Sequence, residues 1–127
     1  MAPRLMFGAA LLTLSVLTPV WGASPLLDEY VARAGGAASP QRGQQLWQAK
    51  DPKGRSCTAC HGLELHVPGK HERTGKAIAP MAPSVNPERY TDSRKVAKWF
   101  KRNCKWTLGR ECTSQEQADL LGWLVTL

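Results

Sequence analysis

Two cysteines and a histidine stand together in the sequence CTACH, residues 57–61. Cys57 and Cys60 are three positions apart, so one turn of chain can present both sulfurs to the two vinyl groups of one porphyrin. His61 follows directly, and its imidazole could then bind the iron from beneath the ring. The pattern predicts one covalently attached haem c, held by Cys57, Cys60 and His61.

Two other kinds of site also use paired cysteines. A zinc site built from four cysteines needs a second close pair, whereas Cys104 and Cys112 are separated by seven residues. A thioredoxin-like dithiol needs βαβ surroundings, and the sequence has no strand pattern of useful length. Haem attachment is therefore the favoured interpretation.

Fewer features of the sequence identify the ligand on the opposite face of the iron. His66 and His71 lie in a polar stretch, LHVPGKHERTGK, where a solvated histidine is the ordinary outcome. Met81 lies in IAPMAPS, twenty residues after His61. In cytochromes with this attachment motif, a proline at about this distance commonly directs its carbonyl to the proximal imidazole; the likeness implies that Pro80 orients His61 and that Met81 packs on the haem.

Asn103 is a further candidate. It continues the apolar helical stripe of Val96 and Phe100, where an amide is costly unless something binds it. A haem iron could bind the amide oxygen, or Asn103 could cap the end of its helix. The spacing alone leaves these two interpretations open.

Four helical segments with capping signals frame these residues. In chain order they are SPLLDEYVARAGG, SPQRGQQLWQA, TDSRKVAKWFKRNC and TSQE followed by ADLLGWLVTL. Turn residues dominate between Lys50 and Pro87. The fold class is predicted to be all-α, with the helix of Gly43 and Trp47 crossing the helix of Trp123 over the haem edge.

Residues 1–23 have the pattern of a secretory signal peptide, with a cleavage point uncertain by about two residues. Its apolar run is short and interrupted for a membrane anchor. Residues 24–127 would then form one monohaem cytochrome c domain in the periplasm, where disulfides persist and nucleic acid is absent. The net charge of +7 therefore predicts acidic protein partners or membrane headgroups, and no nucleic acid.

Three stretches, CTACHG, RTGKAIAPMAPSVNPERYTD and KVAKWFKRNCKWTLGRECT, resemble the sphaeroides haem protein family of high-spin monohaem cytochromes c. The resemblance implies the class I cytochrome c fold, with His61 as the proximal ligand and Asn103 as the distal ligand. It also implies a disulfide between Cys104 and Cys112. One departure is Met81, which stands where the type member has leucine, so Met81 stays open as the alternative distal ligand.

These features predict a periplasmic electron-transfer cytochrome that binds a diatomic gas, oxygen or nitric oxide, at a labile distal site. The alternative is a simple electron carrier in which Met81 is the sixth ligand. Oxygen or peroxide reduction is a further alternative, but the spacing places neither His66, His71 nor Arg102 over the iron as a distal acid or base.

The resemblance also implies electron donors, namely a diheme cytochrome c and a membrane b-type cytochrome. A run of basic residues near the third helix predicts either a solvated face or a docking surface for such an acidic partner. The run consists of Arg94, Lys95, Lys98, Lys101, Arg102, Lys105 and Arg110.

Overall fold

The structure, a computed structural model, describes residues 24–127, so the predicted signal peptide lies outside the described residues. These residues form five helices: α1 at Pro25–Ala34, α2 at Pro40–Gln48, α3 at Thr58–His61, α4 at Ser93–Leu108 and α5 at Ser114–Leu124. Two strands, β1 at Gly69–Lys70 and β2 at Ala77–Ile78, lie between α3 and α4. Within residues 24–127, no helix is long and apolar enough to cross a membrane.

The helix starts follow their capping residues. The Ser39 side chain accepts a hydrogen bond from a backbone N–H in the first turn of α2, and proline follows it at the first helical position. At α5, Thr113 and Glu116 form the predicted capping box, in which each side chain bonds the backbone of the other residue. These capping hydrogen bonds determine where α2 and α5 begin.

The predicted crossing of α2 and α5 is confirmed. A Cβ on Gly43 would overlap the backbone carbonyl of Asp119 and lie 2.9 Å from the amide nitrogen of Leu120, so only glycine allows this approach. Beside the contact, the ring centroids of Trp47 and Trp123 lie 5.7 Å apart with their planes inclined by 66°. Trp47 therefore fills the space next to the close backbone contact.

A buried carboxylate, which was not predicted from the sequence, joins the two helices at the same crossing. The Asp119 side chain accepts hydrogen bonds from the Ser39 backbone N–H at 2.7 Å, from Arg42 at 2.7 and 2.9 Å, and from Gln115 at 2.9 Å. Burial on its own raises the pKa of Asp119, but these hydrogen bonds outweigh it and hold the pKa below its ordinary value. The charged carboxylate therefore joins the start of α2 to the middle of α5.

Helix α4 runs one turn further than expected. Its N-cap is Asp92, whose side chain accepts two backbone N–H groups of the first turn, and it ends at Leu108, before Gly109 in the left-handed conformation at φ 70°. Asn103 therefore lies inside the helix. The interpretation of Asn103 as a C-terminal cap is wrong, because Gly109 takes that role.

A disulfide joins Cys104 on α4 to Cys112 in the loop before α5, with their Cα atoms 5.5 Å apart. Both cysteines are buried. This is the pairing that the family resemblance implies, and it ties the end of α4 to the start of α5.

The loop region contains a small antiparallel ribbon that the sequence did not predict. Its register pairs Gly69 with Ile78 and Lys70 with Ala77, and strands of two residues are too short to show an alternating pattern. A Cβ on Gly69 would overlap the carbonyl of Cys60. Glycine at this position lets β1 lie directly against the backbone of the CTACH motif.

Candidate haem-binding site

The CTACH motif forms a single helical turn. The His61 backbone N–H donates to the Cys57 carbonyl at 3.1 Å, and the Gly62 N–H donates to the Thr58 carbonyl at 2.9 Å. Gly62 then turns the chain away at φ 72°, in the left-handed region that favours glycine. Cys57 and Cys60 are free thiols, so both sulfurs remain available for attachment.

A cavity, here called the inner cavity, opens beside this turn. Its walls are mainly apolar and come from α2, α4 and α5 as well as the motif. The lining residues are Leu46, Trp47, Ser56, Cys57, Cys60, His61, Met81, Tyr90, Val96, Trp99, Phe100, Asn103, Cys104, Trp106, Thr107, Leu108, Cys112, Leu120 and Leu124.

A wider groove, here called the outer cavity, adjoins the inner cavity and shares six of its lining residues. The shared residues are Cys60, His61, Met81, Trp99, Asn103 and Trp106. Most of the remaining residues of the groove are basic; the full set is His71, Glu72, Arg73, Ala77, Ile78, Arg89, Lys101, Arg102 and Lys105. The site is therefore an apolar chamber with a cationic mouth.

His61 has the form that an iron ligand needs. Burial first, and the positive charge of Arg89 second, lower the pKa of His61 to about 4. The imidazole is therefore neutral near pH 7 and keeps a free lone pair. Its ring centroid lies 5.1 Å from that of Trp47, and its buried Nδ1 has no hydrogen-bond partner among the described residues.

The two alternative uses of the cysteines do not fit the structure. Burial raises the pKa of Cys57 to about 11, whereas a reactive dithiol needs a lowered thiol pKa. In residues 24–127, no group of three or more His, Cys, Asp or Glu side chains could hold a metal ion. Two free thiols and a neutral imidazole that line one apolar chamber fit a covalently attached haem.

Pro80 does not have its expected role. Its carbonyl accepts hydrogen bonds from the Asn86 side chain at 3.0 Å and from Arg89 Nε at 2.8 Å, and not from His61. The predicted bond between Pro80 and His61 is therefore wrong for this structure. The physical reason is that two donors, neither of them identified from the sequence, occupy both lone pairs of the carbonyl.

Met81 is fixed by its backbone. Its N–H donates to the Leu65 carbonyl at 3.0 Å, and its carbonyl accepts the Tyr90 hydroxyl at 2.9 Å. The side chain is buried and lines both cavities together with His61 and Asn103. The structure thus brings both candidate distal ligands to the chamber.

Asn103 lies at the solvent-exposed border of the apolar stripe of α4, not at its centre. Its backbone carbonyl accepts the Thr107 hydroxyl at 2.8 Å. Trp99, Trp106 and Thr107 also line the inner cavity, and sequence reasoning did not identify them. Helical spacing could have found them, since they lie three or four positions from Asn103.

The remaining candidates divide between the site and the surface. His71 and Arg102 line the outer cavity. His66 does not line either cavity, and its Nδ1 lies 2.8 Å from the carboxylate of Glu64. His66 therefore lies outside the site.

Comparison with known proteins gives a consistent result. Residues 33–124 match the family model described as a domain of unknown function, DUF1924. The chain is 48% identical over 103 residues to the cytochrome c-type protein SHP of Cereibacter sphaeroides, covering 78% of this chain and 79% of that protein.

Two solved structures have the same fold. The structure of oxidised SHP, described as an oxygen-binding cytochrome c, matches with a TM-score of 0.76 at 46% identity, over 80% of this chain and 94% of that chain. The solution structure of cytochrome c'' from Methylophilus methylotrophus, described in terms of haem-ligand detachment, matches with a TM-score of 0.65 at 33% identity, over 80% of this chain and 90% of that chain. The chain therefore belongs to the SHP family of helical c-type cytochromes, and it carries one covalently bound haem c.

Proposed function

We propose that this protein is a periplasmic cytochrome c that accepts an electron from a redox partner and binds a diatomic gas, oxygen or nitric oxide, at a distal site guarded by Asn103. The haem supplies an iron that exchanges one electron and takes axial ligands. The observation that carries the proposal is that Asn103 lines the same chamber as Cys57, Cys60 and His61. The oxygen binding of the SHP relative supports it.

The amide of Asn103 suits a ligand that can be displaced. Its oxygen is a hard donor that favours ferric over ferrous iron, so reduction weakens its hold on the metal. Asn103 lies at the exposed edge of α4, where the inner and outer cavities meet, so its side chain can swing outward without disturbing the core. The indoles of Trp99 and Trp106 border the same opening and limit the entry of water.

The test is the Asn103→Ala variant of the haem-loaded protein, with Met81→Leu as its matched control. We expect Asn103→Ala to leave an open, high-spin ferric haem whose absorption spectrum differs from the wild type. Met81→Leu should change the spectrum little, because leucine preserves the apolar packing. Reduced wild-type protein should bind carbon monoxide, a convenient stand-in for the physiological gas.

The opposite pattern would contradict the proposal. If Met81→Leu opens the ferric site while Asn103→Ala leaves the spectrum unchanged, Met81 is the distal ligand. The protein would then be a simple electron carrier. One observation favours this second function: the Met81 side chain is buried and lines both cavities with His61.

The proposed electron donors are a diheme cytochrome c and a membrane b-type cytochrome. Lys101, Arg102 and Lys105 line the outer cavity, and in residues 24–127 only Lys105 of the three has an ion pair, to Glu111 at 3.1 Å. A positive field at the mouth of a redox site attracts an acidic partner and raises the association rate. This surface supports docking at the distal side.

Reduction kinetics test the docking. The rate at which a reduced diheme cytochrome c reduces this protein should fall as ionic strength rises. Lys101→Gln should lower that rate, whereas Lys50→Gln removes an equal charge from a residue that lines neither cavity and should have a smaller effect. Equal rates in both variants and no dependence on salt would leave the basic run as a solvated face.

A further inference from the structure

Two tryptophans of α4 flank Asn103 on the wall of the chamber. We propose that Trp99 and Trp106 are specificity-determining residues, which two arginines hold in place so that only a diatomic ligand reaches the distal position of the iron. The inference rests on the proposed function, in which Asn103 leaves the iron on reduction. It adds what decides which molecules enter once Asn103 has left.

The first step is the position of the two indoles on α4. Trp99 lies four residues before Asn103 and Trp106 lies three residues after it, and residues at this spacing share one helical face. All three line both the inner and the outer cavity. His61 lines the same two cavities from α3. The face of α4 that carries the indoles is therefore the distal wall of the chamber.

The second step is that a cation from another segment holds Trp106. The central guanidinium carbon of Arg55 lies 5.6 Å from the centroid of the Trp106 ring, within the range of a cation–π contact. Arg55 is itself fixed by Asp51, whose carboxylate accepts hydrogen bonds from the guanidinium at 2.7 and 2.9 Å. The side chain of Asp51 is only 6% exposed. Arg55 lines neither cavity, so it acts on the site through the indole.

The third step is that Trp99 is held in the same way. The central guanidinium carbon of Arg89 lies 4.9 Å from the centroid of the Trp99 ring. Arg89 is fixed by two consecutive backbone carbonyls, since it donates to Pro80 at 2.8 Å and also to Ala79. Each indole of the distal wall therefore contacts a guanidinium that hydrogen bonds keep in place.

The consequence is an opening with two fixed sides and one movable part. Turning either indole away from the wall breaks its cation–π contact, so the indoles stay where they are. Asn103 is the part that moves, and its departure frees the space of one amide group. A diatomic molecule fits into that space. A ligand that carries an alkyl chain requires an indole to turn.

The experiment compares two ligands of the haem-loaded ferrous protein, carbon monoxide and n-butyl isocyanide. Both bind ferrous iron through a carbon atom, but the isocyanide carries an alkyl chain. The measurement is the ratio of their association rates in stopped-flow mixing, and the wild type should strongly favour carbon monoxide. Trp106→Ala should raise the isocyanide rate relative to the carbon monoxide rate by about tenfold or more, the discrimination that small differences of fit produce.

Arg55→Gln tests the support of the indole without changing a cavity wall. It should raise the relative isocyanide rate about fivefold, because the indole turns more readily once its cation–π contact is lost. The ferric absorption spectrum should stay unchanged, since Asn103 is still bound in that state. Arg55→Lys keeps a cation at this position and should return the ratio toward the wild-type value.

Arg33→Gln is the matched control. Arg33 lies over the Tyr30 ring, 4.0 Å from its centroid, and neither residue lines the inner or the outer cavity. The control removes the same charge and the same kind of contact, and it should leave the ratio unchanged. Equal ratios in Arg55→Gln and Arg33→Gln, or a wild type that binds both ligands at similar rates, would overturn the proposal. If Trp106→Ala does not fold with its haem, the two arginine variants decide the question.

Failure of the proposed function would look different. If Met81 stays on the iron after reduction, neither carbon monoxide nor the isocyanide binds to the wild type or to any variant. If only the role of the indoles is wrong, carbon monoxide binds to the wild type and the ratio of rates does not change among the variants. The two results are therefore distinguishable.

Discussion

The disulfide between Cys104 and Cys112 offers the sharpest quantitative test of how the distal side is held. Removing both cysteines in a Cys104→Ala/Cys112→Ala variant takes away the covalent link between α4 and the start of α5. Because Asn103 precedes Cys104 directly, the same change loosens the backbone that presents the amide to the chamber. Stability and spectrum should therefore change together.

The magnitude follows from the size of the closed loop. The two cysteines are separated by 8 positions in the sequence, and the entropy of closing such a loop in the unfolded chain corresponds to about 2.6 kcal/mol at 25 °C. Both cysteines are buried, at 4% and 8% exposure, so deleting their sulfurs also leaves small voids that cost roughly 1 kcal/mol. The free energy of unfolding should fall by about 3.5 kcal/mol in total.

The assay is urea unfolding of the ferric, haem-loaded protein, followed by tryptophan fluorescence. The midpoint should fall, and the urea dependence should become steeper because the unfolded chain without its cross-link exposes more surface. Reduction of the wild-type disulfide with a thiol reductant should lower the free energy of unfolding by the part due to the cross-link, about 2.6 kcal/mol. The same reductant should not change the stability of the double alanine variant, which has no disulfide. That variant therefore controls for other effects of the reductant.

The ferric absorption spectrum gives the functional readout. If the disulfide holds the backbone of Asn103, the double variant and the thiol-reduced wild type should both show an altered ferric spectrum. A loss of less than about 1 kcal/mol would refute the loop-closure reasoning. An unchanged spectrum with the full loss of stability would make the disulfide a purely structural cross-link.

Three further changes test the packing around the site. Gly43→Ala should cost about 3 kcal/mol in chemical unfolding, because the new Cβ overlaps the carbonyl of Asp119. Asp119→Ala should cost roughly 1–3 kcal/mol because it leaves the half-buried donors of Ser39 and Gln115 without their acceptor. It should also remove the part of the stability that is lost below about pH 4, since the folded protein holds the pKa of this carboxyl below its ordinary value. Tyr90→Phe should cost about 1 kcal/mol, because the hydrogen bond from the Tyr90 hydroxyl to the Met81 carbonyl is lost. Burial raises the pKa of Tyr90, so the stability of the wild type should fall as the pH rises above about 10. This fall should be absent from the variant.

Each of these predictions has a result that would count against it. Gln44→Ala on the exposed side of α2 is the control for Gly43→Ala, and equal stability of the two variants would mean that α2 and α5 are not in close contact. An acid unfolding curve that is the same with and without Asp119 would remove its carboxylate from the pH dependence. A Tyr90→Phe variant that loses stability above pH 10 as the wild type does would assign that loss to another group.

Much of the local structure could be predicted because its causes lie within a few residues. The capping box of Thr113 and Glu116 and the serine cap of α2 appear where the sequence places them. The CTACH motif predicts the attachment turn for the same reason, since Cys57 and His61 are related by one helical turn. The ribbon at Gly69 was missed because its strands are too short to leave a pattern.

The surroundings of the site could not be predicted from the sequence, because they depend on contacts between residues that are far apart in the chain. The hydrogen bond between Ser39 and Asp119 spans 80 positions, and no periodicity in either segment indicates it. The Pro80 carbonyl was predicted to accept a hydrogen bond from His61, and only the fold shows that Arg89 and Asn86 donate to it. The family resemblance singled out Asn103 as a ligand, while spacing alone left it between a ligand and a cap.

The sequence by itself determined the chemistry of attachment and the starts of the helices, because short-range geometry and capping decide both. The tertiary structure decided the surroundings of the iron: Asn103 lies within α4 at the cavity border, and Pro80 is bound by Arg89 instead of His61. The physical reason is that a cavity exists only once separate helices have packed. Which side chains enter it, and which lone pairs remain free, depends on that packing.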